Sequence, residues 1–253
     1  MHIHKAQRQG GFTLVELAVV LLIIGLIVGG ILRGQELISS AQLNAVQTDL
    51  NEIRTATNTF QDKFVALPGD FSQPELVSDV AQASNEGGDA GDGNGRIDVG
   101  ARVDQDTETA AFWEHLGYSG LLGGVNPQAI DSDGLDATNA MSASIGGIYT
   151  ISFESPNPTT GNSGPGGNAV NNRPQAHWFK LGGIDGDDNT IDVVAPVDLR
   201  GIDVKADDGN PTTGDILGGD QGGNGCWTGN TDSTGDNTYN ASEDNACVAF
   251  FRL

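Results

Sequence analysis

The chain has 253 residues, with 12 Lys and Arg against 34 Asp and Glu, a formal charge of −22, and 37 glycines, about twice the usual share of that residue. This balance excludes a nucleic-acid-binding surface, which needs basic patches, and leaves a solvated acidic exterior or the binding of cations. The roughly 220 residues after the N-terminal apolar run are enough for one domain with a real core.

Residues 1–11 are a short basic leader, with His2, His4, Lys5 and Arg8, closed by Gly10-Gly11. Phe12 to Leu32 follows as 21 residues in which only Thr13 and Glu16 are polar. A helix of that length spans about 30 Å, one bilayer core. The basic residues precede it, so the leader is expected to stay cytoplasmic and everything beyond Leu32 to face outward. A secretory signal peptide places small residues after the apolar run and loses that run on cleavage. Here the small residues come first, so cleavage after Gly11 keeps the helix. Glu16 is the anomaly. A carboxylate in hydrocarbon costs several kcal/mol, which marks it as a functional residue with a partner elsewhere. Gly25, Gly29, Gly30 and Gly34 weaken the second half of the helix by about 1 kcal/mol each relative to alanine.

Beyond Arg33 the spacing predicts that the helix continues over 33–67. Leu43, Val46, Leu50, Ile53, Thr57, Phe60 and Phe64 recur every three or four residues, one face of a helix. Asp49, Asn51, Glu52, Arg54 and Asp62 fill the other faces. Pro68-Gly69 ends the element. Residues 84–100 are acidic and rich in glycine. Thr109 to Leu122 reads as a second, shorter helix with Phe112, Trp113 and Leu116 inward. Gly146 to Ser155, Trp178 to Leu181, Thr190 to Val197, Gly201 to Lys205 and Ala246 to Leu253 read as strands, and 161–174 as a loop. Asp207-Asp208-Gly209 reads as a tight turn held by Asx side chains. The class is α+β, a long N-terminal helix packed on an antiparallel β-sheet head (68–253) with long acidic, Gly-rich loops.

The run GGFTLVEL at 10–17 resembles the processing motif of type IV pilins and type II secretion pseudopilins. The resemblance implies a pilin-like fold and cleavage between Gly11 and Phe12 by a prepilin peptidase, an aspartic enzyme of the membrane. It also implies N-methylation of the new Phe12 terminus, and it gives Glu16 a partner: the amino group of Phe12 on a neighbouring subunit. Opposite charges attract strongly in low dielectric and each alone is costly there. Many pilins carry a proline midway along this helix; this chain has none, and Arg33 stands near its place. LPGDF at 67–71, FWEHLGYSGL at 112–121 and GIDVKADDGNPTTGDI at 201–216 look like a group of pseudopilin-like proteins of Gram-negative bacteria, which share the pilin helix and a C-terminal cysteine pair.

Cys226 and Cys247 are the two cysteines, and in an exported domain two most simply pair once. Closing a loop of about 20 residues contributes roughly 3 kcal/mol in the chain-entropy model. No CxxC or nearby histidine supports a metal site there. A calcium site is a separate candidate. In 90–101, AGDGNGRIDVGA, Asp92 and Asn94 take positions three and five of a calcium loop and Gly95 takes six. Ala90 fails position one, with Asp89 one residue off, and Ala101 fails the acid at twelve. Asp89, Asp92, Asn94 and Asp98 are the candidate ligands, with other segments needed to complete the oxygens. Related pseudopilins hold calcium in the head. No GxSxG or HExxH is present, and His115 and His177, the two histidines past the leader, read as structural.

The sequence therefore points to a structural subunit and not an enzyme. It is expected to wait in the inner membrane on a single pass with its head in the periplasm, to meet prepilin peptidase and the inner-membrane assembly platform, and to join other subunits in a filament. The alternative is a minor or tip subunit whose head binds a substrate or surface, with calcium.

Overall fold

A computed structural model describes residues 14–73, 91–98, 107–127, 135–154, 175–184, 190–219, 225–228, 237–241, 244 and 246–253. The chain forms two compact units, residues 1–41 and 42–253. Helix α1, Leu14–Phe64, supplies residues to both.

In the first unit α1 is apolar and uncovered. Its large side chains from Leu14 to Ile38 are 49% to 84% exposed, and the segment is long and apolar enough to cross a membrane. The charges at its far end neutralise each other, because Arg33 donates to Glu36 at 2.7 Å.

In the second unit the same helix turns amphipathic. Leu43, Val46, Leu50, Ile53, Ala56, Thr57 and Phe60 are buried, as the three-and-four spacing predicts. Thr48, Thr55, Thr57 and Thr59 bond back to carbonyls four residues earlier, which satisfies hydroxyls within the helix. The helix stops at Phe64, and Val65 follows with φ 57°, the left-handed position usually filled by glycine.

Helix α2, Glu108–Tyr118, is capped by Thr107, whose side chain accepts the Ala110 N–H, satisfying an orphan donor. Phe112, Trp113 and Leu116 are fully buried. The main sheet contains β1 (Ile148–Glu154), β2 (Ala176–Ile184), β4 (Ile216–Gly219) and β7 (Val248–Arg252) in the order β1-β2-β7-β4, all pairs antiparallel, with β3 (Thr190–Ile191) beside β2. Strands β5 (Trp227–Thr228) and β6 (Thr238–Tyr239) form a small separate pair. Alternation sorts the main sheet. Tyr149, Ile151, Phe179, Leu181, Ala249 and Phe251 join the α1 and α2 residues in one core. Trp178, Leu217, Val248 and Phe250 form a second buried cluster, the alternate positions of the same strands.

The expected strand at Gly201 to Lys205 is corrected: Pro196–Ala206 is helix α3, and of the stretch 190–197 only Thr190–Ile191 is strand. Proline is tolerated at the first helical position, where its fixed φ suits the helix. Leu199, Ile202 and Asp203 then bury one face. Gly201 lets Leu43 of α1 approach, since a Cβ there would lie 2.8 Å from the Leu43 side chain.

Candidate functional site

Gly11 and Phe12, the expected processing residues, lie outside the described residues. Glu16 stands in the first turn of α1, where a carboxylate interacts favourably with the helix dipole. Around it the helix surface is hydrocarbon: Leu14, Val15, Leu17, Val19 and Val20 are all at least half exposed. Gly25, Gly29, Gly30 and Gly34 have open space where a Cβ would stand.

A second assembly of functional side chains is the acidic loop 91–98. Asp92 Oδ1 accepts the Asn94 N–H at 2.9 Å and its Oδ2 accepts the Asn94 side-chain amide at 2.8 Å. The same amide donates to Asp98 at 3.1 Å. Two residues from elsewhere complete the loop. Asp70 Oδ1 accepts from Asn94 N at 3.0 Å and Oδ2 from Gly95 N at 2.7 Å. Glu108, at the start of α2, accepts the Asp92 N–H at 3.1 Å and the Asp98 N–H at 2.6 Å. Carboxylate oxygens of Asp70, Asp92 and Glu108 lie within 4.8 Å of one another.

The loop is pinned outside this cluster as well. His177 Nε2 accepts the Ile97 N–H at 3.2 Å, and the Ile97 carbonyl accepts from Phe153 N of β1 at 2.8 Å. Gly69 donates to His115 Nδ1 at 2.8 Å, and His115 stacks on Phe60. Burial holds the His115 imidazole neutral, with its pKa lowered to about 4. Burial lowers His177 too, opposed by Asp98. Both histidines thus serve as acceptors that hold main chain. Burial raises the Asp70 carboxyl, offset by N–H groups of 93–95, and Asp92 adds to the rise. Burial likewise raises Glu108, which has Asp70 and Asp92 as neighbours.

Of the expected cation ligands, Asp92, Asn94 and Asp98 are brought together, while Asp89 lies outside the described residues. Sequence reasoning missed Asp70 and Glu108. Both accept main-chain N–H groups of the loop, Asp70 from Asn94 and Gly95 and Glu108 from Asp92 and Asp98. The available signal was that Ala90 and Ala101 bring no side-chain oxygen to the run 90–101, so acids from elsewhere were needed; Asp70 lies 20 residues before that run and Glu108 seven after it. Beside the loop, an open groove of 690 Å³ is lined by Phe64, Val65, Leu67, Asp70, Phe71 and Gly93, among others.

A third acidic group lies at the end of α3. Asp203 is fully buried and accepts from Tyr239 Oη at 2.8 Å and Gly209 N at 3.0 Å. Asp207 accepts the N–H groups of Asp215 and Ile216, and Asp208 accepts from Asn210 N and the Thr213 hydroxyl. These bonds form the Asx turn expected at 207–209. Nearby, Cys226 and Cys247 are joined in a disulfide, which ties the β5–β6 region to β7.

Residues 6–32 match the family model described as the prokaryotic N-terminal methylation motif. No curated protein and no solved structure matches the chain. The apolar helix and its single early acid are the part of the molecule that this match covers. The match is to a motif of 27 residues at the N-terminus, and it supports a likeness to prepilin-processed subunits of the type IV pilin and pseudopilin kind.

Proposed function

We propose that this chain is a structural subunit of an extracytoplasmic helical filament, either a type IV pilus or a type II secretion pseudopilus. The observation that carries the reading is the methylation motif at 6–32 at the start of a helix whose apolar side chains are uncovered as far as Ile38. Residues 1–11 are the leader and 12–32 the membrane and assembly segment. Residues 33–67 continue the helix into the head, 68–253. Before assembly the chain spans the inner membrane once with its head in the periplasm, and cleavage after Gly11 frees the Phe12 amino group. Glu16 then meets that amino group on the next subunit, because each charge is costly alone in hydrocarbon and the pair is less so. Glu16→Ala should leave a stable, membrane-inserted protein that enters filaments poorly; normal incorporation would refute the role. Gly11→Leu should retain the leader, read as intact mass.

A second reading is favoured by Asp70 and Glu108 joining Asp92, Asn94 and Asp98. In it the chain is a minor or tip subunit whose head is organised by calcium at this loop. A hard cation needs six to eight oxygens, and five side chains here carry them. Calcium titration of the full chain in detergent separates the readings. A melting temperature that does not move at millimolar calcium sinks the calcium site. A filament preparation in which this chain is the dominant protein sinks the tip role.

A further inference from the structure

We propose that successive copies of this chain meet head to tail, the exposed face of α3 on one copy seating against the groove at the end of α1 on the next; the proposal rests on the filament reading above. The two surfaces lie at opposite ends of the spine of one head. Gly201 of α3 packs against Leu43, while the groove is lined by Phe64, Val65, Leu67 and Phe71, among others. Leu43 to Phe64 is continuous helix, about 30 Å long at 1.5 Å per residue.

Each surface is apolar and charged, and the charges are opposite. On α3, Val197, Arg200 and Val204 are exposed, and Lys205 is exposed beside them. Residues three and four apart share a helix face. Of the acids near them, Asp203 is buried under Tyr239 and Asp198 is half-buried. Asp207 accepts the N–H groups of Asp215 and Ile216, and Asp208, past the helix, accepts from Asn210 and Thr213. At the other end, Asp62 beside the groove and Asp92 and Asp98 in the adjoining loop are exposed, and Asp70 and Glu108 bond to that loop. Among the described residues there, these five carboxylates outnumber the bases Lys63 and Arg96. Charge complementarity of this kind fixes which surfaces meet.

Val65 is an independent observation. It is 91% exposed with φ 57°, where a β-branched residue is an outlier. The head gains no burial from this side chain, and glycine would hold the same turn without strain. A strained, exposed apolar residue at the lip of a groove is accounted for by a contact outside the head. Because the two patches differ, the contact is heterologous. Each copy keeps one free groove and one free α3 face, so the contact repeats along a helix instead of closing a two-fold pair. A two-fold pair would set acids against acids at the groove, or bases against bases at α3.

The test uses the full chain in cells that make the filament. Val65→Cys and Val204→Cys in one chain should give a ladder of disulfide-linked multimers in sheared filaments after mild oxidation. Neither single variant should do so, and the two single variants made together should give dimers. Arg200→Glu with Lys205→Glu should lower the filament-bound fraction by at least about tenfold, because like charges replace opposite ones, while the amount of processed chain in the membrane is unchanged. Val65→Gly should also lower that fraction without any loss in melting temperature, which separates a contact from a role in the fold. Monomer alone from the double-cysteine variant in filaments that contain it, dimers from Val65→Cys by itself, or undiminished incorporation of the charge variant would each overturn the proposal. If the wild-type chain enters no filament, the filament reading itself fails and this contact falls with it.

Discussion

Gly69→Ala isolates the joint between the helix spine and the acidic loop. Gly69 has φ 89°, and a Cβ there would lie 2.5 Å from the Glu108 carbonyl and 3.3 Å from the Phe112 Cβ. Left-handed backbone costs an L-residue about 1–2 kcal/mol. The overlap with α2 displaces the Gly69 N–H from His115 Nδ1, and a buried acceptor left unpaired adds about 1–3 kcal/mol. The expected loss is therefore about 2–5 kcal/mol, read from urea unfolding of the full chain in detergent by tryptophan fluorescence. Gly120→Ala is the control. Its φ is 67°, but nothing lies within 4 Å of the new Cβ, so it should lose only the backbone term of about 1–2 kcal/mol. If the two variants lose equally, or Gly69→Ala loses less than about 1 kcal/mol, the close approach of 69 to α2 is not what fixes this joint.

Replacing both Cys226 and Cys247 by serine removes a closed loop with a sequence separation of 21 and should lower stability by about 3 kcal/mol, seen as a drop in the urea midpoint that reductant no longer changes. Burial pushes the Asp203 carboxyl up to about 6 from its ordinary value of 3.8, so folding favours its protonated form. That contribution is complete below about pH 3.8 and is lost as pH rises through about 6; Asp203→Asn should flatten the melting temperature's dependence on pH across this window, and an unchanged slope would contradict the assignment. Val65→Gly should raise stability by about 0.5–1 kcal/mol, because relief of the left-handed strain exceeds the entropy cost of glycine; a destabilised variant would mean that the 91% exposed valine has contacts worth more than its strain.

The order of elements was readable because local patterns carry it. The 3.6-residue period of Leu43 to Phe60 needs only one face to be buried, and the α2 face with Phe112, Trp113 and Leu116 follows the same rule. The misread stretch was 196–206. Its apolar residues are few, and α3 forms because Pro196 starts it and because Leu199, Ile202 and Asp203 find cover in the core. The short strands β4, β5 and β6 carry too few residues for any period to show, and pairing alone defines them.

By itself the sequence determined the processing motif, the membrane-length apolar helix with its one acid, the amphipathic continuation and the acidity of the head. Each is a property of neighbouring residues, so no folding is needed to read it. Only the tertiary structure decided which acids share a site. Asp70 and Glu108 reach the loop at 91–98 because Gly69 allows the turn after α1 to lie against α2 and because His115 and His177 accept main-chain N–H groups. Asp203 became a buried acid because Tyr239, 36 residues later, closes over it. Those contacts depend on where distant segments come to rest, and charge and spacing along the chain do not contain that information.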